Sequence, residues 1–195
     1  MVRQEKKKLF SKQNIVSLFI VFIMVSSVIG YMFGRDGGEK LKYGDHSFLR
    51  RGREWVLRTD KGELTFDYFP AEVENINLSS GVVDLLNEKK EIDSTSSAND
   101  SYAEAIALAQ YSLMQNLDKI SDTYLRIGMI DENEFSLPII TCEDATESVP
   151  VLYFKKSDVT KVEVKDNCII AEAKGELDIL GVKDRLLYGL LGIIT

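Results

Sequence analysis

The sequence predicts an α+β protein in which an N-terminal single transmembrane helix precedes an extracytoplasmic domain with a mainly antiparallel sheet and two packed helices. Three observations lead to this prediction. An uncharged apolar segment follows a basic tail, short segments with β-type alternation are separated by polar turns, and two longer segments show helical periodicity. The composition is 45% hydrophobic and 28% charged over 195 residues, which is typical of a globular chain.

Residues 14–34 are the predicted membrane anchor. From Ile15 to Phe33 the sequence contains no charged residue, and about 19 helical residues span about 28 Å, close to the hydrocarbon thickness of a bilayer. Val28 and Gly30 are small enough for a signal-peptide cleavage site, but no Ala-x-Ala is present. An uncleaved anchor is therefore favoured over a cleaved signal peptide, and the anchor would contact membrane lipid.

The charge of residues 1–13 predicts the orientation of the anchor. This tail holds five of the 24 basic side chains and one of the 31 acidic ones. Lys and Arg beside a spanning segment remain on the cytoplasmic side. The prediction is a single-pass protein of the cell membrane with a cytoplasmic N-terminus and residues 35–195 outside. Arg50, Arg51 and Arg53 reduce this asymmetry.

Beyond the anchor, residues 35–47 are Gly-rich and polar, which predicts a flexible stem. Residues 48–195 form the predicted α+β domain. Its first part alternates apolar and polar residues on both sides of Asp60-Lys61-Gly62, the pattern of a β-hairpin. Several β-rich segments between residues 123 and 173 predict further strands.

Two helices are predicted in this domain. Ser101 and Glu104 form a capping-box pattern, followed by apolar residues at three- or four-residue steps as far as Ile120. The C-terminal segment is apolar nearly all round, so its helix must be covered by other elements. The charged residues within it, Lys183, Asp184 and Arg185, are interpreted as lying on a helix edge.

Cys142 and Cys168 are the only cysteines. A nucleophilic cysteine needs a nearby base, but the single histidine, His46, falls in the predicted stem. The acidic neighbours Glu143 and Asp144 would also disfavour a thiolate. Outside the cytosol two such cysteines are expected to pair, so a structural disulfide is predicted, with two buried thiols as the alternative.

The acidic residues Asp131, Glu132, Glu143 and Asp144 are weak candidates for a cation site. They support an alternative hypothesis of a membrane-bound enzyme with an acidic, metal-assisted site near Asp131, Glu143 and Asp144. Solvated loops and caps are the simpler interpretation. No metal site or cofactor is predicted, and no catalytic residue can be assigned.

Asn77 and Asn99 begin Asn-x-Ser sequons and are candidate glycosylation sites in an exported domain. Outside residues 1–13 the chain carries 19 basic and 30 acidic side chains, a balance that argues against nucleic-acid binding. An anchor, a stem and a domain without a chemical motif predict a non-enzymatic, membrane-tethered binding or assembly domain with a protein partner. A sensor ectodomain is a further alternative.

Overall fold

The computed structural model describes residues 12–34 and 38–194, which fall into two compact units divided between Glu39 and Lys40. The first unit contains helix α1, Lys12–Gly34, whose side chains are exposed throughout residues 15–29. Among all described residues, no helix has both the length and the hydropathy needed to cross a membrane. Most of the predicted basic tail, and residues 35–37 of the predicted stem, lie outside the described residues.

The second unit begins with a four-stranded antiparallel sheet in which consecutive strands are neighbours. Its strands are β1 Lys40–Tyr43, β2 His46–Arg51, β3 Glu54–Thr59 and β4 Gly62–Phe66. One face of this sheet is apolar and buried, because Phe48 lies opposite Leu57 and Leu57 lies opposite Leu64. The predicted hairpin around Asp60-Lys61-Gly62 corresponds to β3 and β4.

Residues 40–47, predicted as part of a flexible stem, belong to this sheet instead. Leu41 pairs with Phe48 across β1 and β2, and Tyr43 packs its ring edge-on against Phe69 at a centroid distance of 6.0 Å. Gly44 makes the turn between the strands with a φ of +55°, a conformation that glycine adopts without steric cost. The alternation of Lys and apolar residues in β1 is therefore a strand pattern within a polar stretch.

A six-stranded mixed sheet forms the rest of the framework, in the order β5-β9-β10-β8-β6-β7. Its strands are β5 Asn77–Leu78, β6 Glu91–Ser96, β7 Tyr124–Met129, β8 Val151–Lys156, β9 Lys161–Lys165 and β10 Cys168–Ala173. Strands β9 and β10 form an antiparallel hairpin, whereas β6 runs parallel to both of its neighbours, β8 runs parallel to β10, and β5 runs parallel to β9.

Within residues 38–194, four α-helices accompany the two sheets: α2 Pro70–Val73, α3 Val82–Leu86, α4 Ala103–Ser121 and α5 Glu176–Leu190. The predicted α+β class, with antiparallel strands and several helices, is confirmed. Sequence analysis did not predict the parallel pairs. The β6–β7 pair is parallel because α4 connects these two strands as a crossover helix, which returns the chain to the same end of the sheet.

Helix α4 begins one residue later than the sequence pattern indicates. Its N-cap is Tyr102 rather than Ser101, and the Tyr102 side chain makes no capping bond. Asp100 replaces that bond, because its Oδ1 accepts a hydrogen bond from the Tyr102 backbone N–H at 2.8 Å. Its Oδ2 also accepts from the Lys156 backbone N–H at 3.0 Å, which joins the start of α4 to the end of β8.

The core lies where the antiparallel sheet meets α5. Tyr188 stacks on Phe66 at a centroid distance of 4.4 Å and meets Phe48 edge-on at 5.9 Å. Its hydroxyl donates to the Tyr68 carbonyl at 2.7 Å, so its polar atom is satisfied inside the core. Every side chain of α5 from Ile179 to Tyr188 is buried, which confirms that this helix is covered.

Candidate functional site

The interior strand β6, next to the edge strand β7, is unusual because four consecutive polar residues on it are buried. Asp93, Ser94, Thr95 and Ser96 are each at most 3% exposed, although a buried interior strand is ordinarily rich in Val and Ile. Buried polar groups are costly unless they are hydrogen-bonded. Their partners therefore show how the surrounding elements are positioned.

Asp93 and Arg126 form a bidentate ion pair between neighbouring strands. The Arg126 Nε and Nη2 atoms lie 2.7 Å from the two Asp93 carboxylate oxygens. The hydrogen bond and the charge of Asp93 raise the pKa of Arg126 above its ordinary value. This ion pair joins the amino-terminal halves of β6 and β7.

Thr95 and Ser94 bind the elements on either side of the sheet. The Thr95 hydroxyl donates to the Ile140 carbonyl at 2.8 Å, and the Gln110 Nε2 of α4 donates to the Ser94 hydroxyl at 3.0 Å. Gln110 is 2% exposed, so this bond lies in the interior. Strand β6 thereby holds both α4 and the segment around residue 140.

An apolar groove of about 410 Å³ lies at the carboxyl ends of β6 and β7, beside the first half of α4. Ligands of open α/β sheets commonly bind at this end of the strands. The groove is lined by Ser96, Ala98, Ala103, Glu104, Ala107, Gln110, Ile127, Met129, Phe135 and Leu137. Ala103 and Ala107 are one helical turn apart, and their small side chains leave the space that the groove occupies.

Polar groups in the groove are few. The Ser96 hydroxyl and the Gln110 amide lie in its buried part, and among the described residues that line it Glu104 alone is charged. The partner of the Ser96 hydroxyl is the Met129 sulfur at 3.8 Å, a weak acceptor. A mainly apolar cavity with a few polar groups is typical of a ligand-binding site.

One wall of the groove is a loop that follows β7. Asn133 organises this loop, because its Oδ1 accepts from the Phe135 and Leu137 backbone N–H groups, each at 3.1 Å. Gly128 allows the chain to return close to the strand, since a Cβ there would lie 2.6 Å from Ile140 Cδ1. These contacts place Phe135 and Leu137 along the groove.

The outer edge of β7 is open beside the groove. Within the described ranges no strand pairs with this edge before Met129, which forms an isolated parallel bridge with Ile139. Large apolar side chains on β7 and on the segment that follows it are exposed: Tyr124 62%, Phe135 60% and Ile139 56%. Clustered exposed apolar residues of this kind mark interaction surfaces.

The predicted disulfide between Cys142 and Cys168 is present. Cys142 is exposed in a short 3-10 turn, whereas Cys168 is 1% exposed at the start of β10. The bond therefore fastens the long connection between β7 and β8, which carries the groove wall, to the centre of the six-stranded sheet.

The acidic candidates lie in turns of this same connection. Asp131 accepts hydrogen bonds from the Ser97 hydroxyl at 3.0 Å and the Ala98 N–H at 3.3 Å. Asp144 caps the turn through the Thr141 backbone N–H and hydroxyl, and these bonds lower the pKa of Asp144. Across the described part of the chain, no cluster of three or more His, Cys, Asp or Glu side chains is arranged to hold a metal ion.

The two sequons differ in their surroundings. Asn99 is exposed in the turn between β6 and α4. Asn77 is exposed on β5, but the hydroxyl of Ser79 in its sequon accepts a hydrogen bond from the Val164 N–H at 3.1 Å.

Lys183, Asp184 and Arg185 of α5 are buried, which corrects their interpretation as a helix edge. Lys183 and Asp184 are fully buried, and the Lys183 Nζ lies 2.5 Å from Asp184 Oδ1 and 2.7 Å from Asp67 Oδ2. Asp184 Oδ2 accepts from the backbone N–H groups of Asp67 and Tyr68, each at 2.8 Å. Arg185 is 5% exposed and donates to the Ile194 carbonyl at 3.3 Å.

Lys183 also donates to the hydroxyl of Ser112 on α4 at 3.2 Å, an arrangement that resembles a serine with a lysine base. A lysine base must be neutral. Burial lowers the pKa of Lys183, but the charges of Asp184 and Asp67 outweigh it and hold the pKa above its ordinary value. The ammonium therefore stays protonated at neutral pH, and the cluster joins β4, α4 and α5 rather than activating Ser112.

Comparisons of this chain with family models, with curated proteins and with solved structures found no match. The interpretation of the groove and the open edge of β7 as a binding site therefore depends on their geometry alone. Sequence analysis missed both. The signals that could have indicated them were the polar run Asp93-Ser94-Thr95-Ser96 within a strand and the alanines repeated along α4.

Proposed function

We propose that this chain is a membrane-tethered binding domain, non-enzymatic and outside the cytoplasm, that recognises a protein partner through the groove between α4 and β7. The apolar groove of about 410 Å³ is the observation that carries this proposal. The exposed aromatic and aliphatic side chains beside it extend the apolar surface that a partner would cover.

The support for the tether comes from residues 14–34. The sequence of this segment has no charge from Ile15 to Phe33. The large apolar side chains of residues 15–29 are exposed on every side of α1, and a helix that is apolar all round must be covered by lipid or protein. The Cys142–Cys168 disulfide is consistent with an oxidising compartment.

The tether is tested by extraction of native membranes at alkaline pH. The full chain is expected to remain in the membrane pellet. A variant with Val21→Lys and Val25→Lys is expected in the supernatant, because a charge near the centre of a spanning helix costs about 2.5 to 3.5 kcal/mol. The control variant Val21→Leu with Val25→Leu should stay in the pellet. Release of the unmodified chain would contradict the tether.

The groove is tested by crosslinking in native membranes followed by mass spectrometry. Ala107→Trp fills the groove from an exposed helix position, so it should reduce the yield of the main crosslinked partner about tenfold or more. Leu108→Trp adds the same ring on α4 outside the groove lining and should change the yield less than twofold. Equal yields from the two variants would refute the groove as the binding site.

A further inference from the structure

We propose that the partner binds as an extended peptide that adds a strand to the outer edge of β7, with an apolar side chain in the groove and a Lys or Arg beside Asp118 and Asp122. This inference rests on the proposed function and names the class of partner. It follows from the hydrogen-bonding directions of β7, from two cavities along that strand and from the distribution of charge.

The backbone of β7 has hydrogen-bonding groups directed away from β6. The Tyr124 N–H donates to the Lys90 carbonyl and the Ile130 N–H to the Ser96 carbonyl. The even-numbered residues of this strand therefore direct their backbone N–H and C=O groups toward β6. Alternate residues of a strand direct their N–H and C=O groups to opposite sides. Leu125 and Ile127 therefore direct these groups outward.

Met129 shows that this edge accepts an extended segment. Its N–H donates to the Pro138 carbonyl and its carbonyl accepts from the Ile140 N–H, at 2.9 Å and 2.8 Å. The segment at residues 138–140 thus pairs with the carboxyl end of β7. A peptide can occupy the remaining edge, from residue 124 to residue 128, by the same main-chain bonds, which is β-strand addition.

Two cavities lie along this stretch of β7. The apolar groove is lined by Ile127 and Met129, and a second cavity of about 300 Å³ is lined by Asp118, Asp122 and Leu125 among others. Leu125 and Met129 are four residues apart, which corresponds to about 13 Å at a strand rise of about 3.3 Å per residue. Side chains on one face of an added strand recur every second residue, so those that reach the two cavities are two or four positions apart.

The charge around the second cavity favours a cation. Asp118 and Asp122 are exposed at the carboxyl end of α4, where the helix dipole is already negative. Lys90 lies 3.8 Å from Asp122, but both side chains are at least 79% exposed, so this pair is weak. In the described part of the chain, Glu104 is the one charged residue that lines the groove, and it is acidic. A basic peptide is therefore favoured over an acidic one and over a second copy of this acidic chain.

The experiment is a selection of displayed random nine-residue peptides on the full chain in nanodiscs. The expected result is enrichment of peptides with a Lys or Arg two or four positions from an aliphatic residue. The best enriched peptide, labelled with fluorescein, should bind at least tenfold more weakly to Ile127→Pro. Proline removes the outward N–H at an edge position without removing a bond to β6. Ile127→Val keeps that N–H and should bind within twofold of the original chain.

Two further variants test the arrangement without altering the strand. Ala107→Trp should also weaken binding of the labelled peptide at least tenfold. Asp118→Asn with Asp122→Asn should weaken it about threefold to tenfold at low salt, and the difference should shrink as salt is raised. These variants decide the outcome if Ile127→Pro fails to fold.

The proposal is overturned if no peptide is enriched above empty nanodiscs, if the enriched peptides lack a basic residue, or if binding is unchanged in Ile127→Pro and Ala107→Trp. The crosslinking result separates this failure from failure of the proposed function. A crosslinked partner that is lost in Ala107→Trp, together with no enriched peptide, would show that the groove binds a partner through a folded surface.

Discussion

Replacing Lys183 by alanine is expected to lower the free energy of unfolding by about 3 to 5 kcal/mol. The substitution leaves the fully buried Asp184 and the neighbouring Asp67 without the ammonium that they share. It also removes the connection through Ser112 to α4. Urea unfolding of the full chain in detergent, followed by circular dichroism, measures the change.

Lys90→Ala is the matched control for this substitution. Lys90 pairs with Asp122 at 3.8 Å, but its side chain is 79% exposed, so its removal should change the unfolding free energy by less than about 1 kcal/mol. The double variant Lys183→Met with Asp184→Asn should recover part of the loss, because it removes a buried charge together with its partner. Similar losses for Lys183→Ala and Lys90→Ala would contradict this account.

The effect of Lys183→Ala depends on pH through Asp184. Burial raises the pKa of Asp184 to about 6, and Lys183 opposes that rise, so without Lys183 the pKa lies higher still. The folded state then binds a proton that the unfolded state, with an ordinary carboxyl pKa, has already released. Stability therefore falls as pH rises through this window, and the loss should be greater at pH 7.5 than at pH 5. An equal loss at both pH values would contradict a further rise in the pKa of Asp184 when Lys183 is removed.

Breaking the Cys142–Cys168 disulfide is expected to lower the free energy of unfolding by about 3 to 4 kcal/mol. The two cysteines are 26 residues apart in sequence, and a crosslink over such a loop removes a corresponding entropy from the unfolded chain. The measurement compares urea unfolding of the oxidised and the reduced protein.

Cys142→Ala provides the control, because it removes the exposed cysteine and leaves the buried Cys168 in place. Its stability should equal that of the reduced protein and should not respond to a thiol reductant. If reduction leaves the unfolding free energy of the unmodified chain unchanged, the disulfide does not restrain the unfolded state as proposed.

Local patterns explain which parts of the fold could be predicted. The β3–β4 hairpin follows from alternation on both sides of a Gly-containing turn, and α4 and α5 follow from their periodicity. These signals involve residues a few positions apart. The disulfide could be inferred because Cys142 and Cys168 are the only cysteines and the chain offers no suitable base.

Long-range pairing explains what was missed. A strand alone does not reveal whether its neighbour is parallel, so the crossover from β6 through α4 to β7 could not be read from periodicity. The burial of the polar residues of β6 also depends on distant segments, because Gln110 and Ile140 satisfy the hydroxyls of the fully buried Ser94 and Thr95. Lys183 resembled part of a solvated helix edge, because its partner Asp67 lies 116 positions away in the sequence.

The sequence by itself determined the α+β class, the helices α4 and α5, the β3–β4 hairpin, the cysteine pair and the acidic balance of the chain, since each depends on composition or on neighbouring residues. Only the tertiary structure decided the order of the six-stranded sheet, the burial of Lys183 with Asp184, and the groove beside an open edge of β7. Those features depend on contacts between segments that are far apart in the chain. The groove is an example, because Ala107 on α4 and Phe135 on the loop after β7 line it together only in the folded protein.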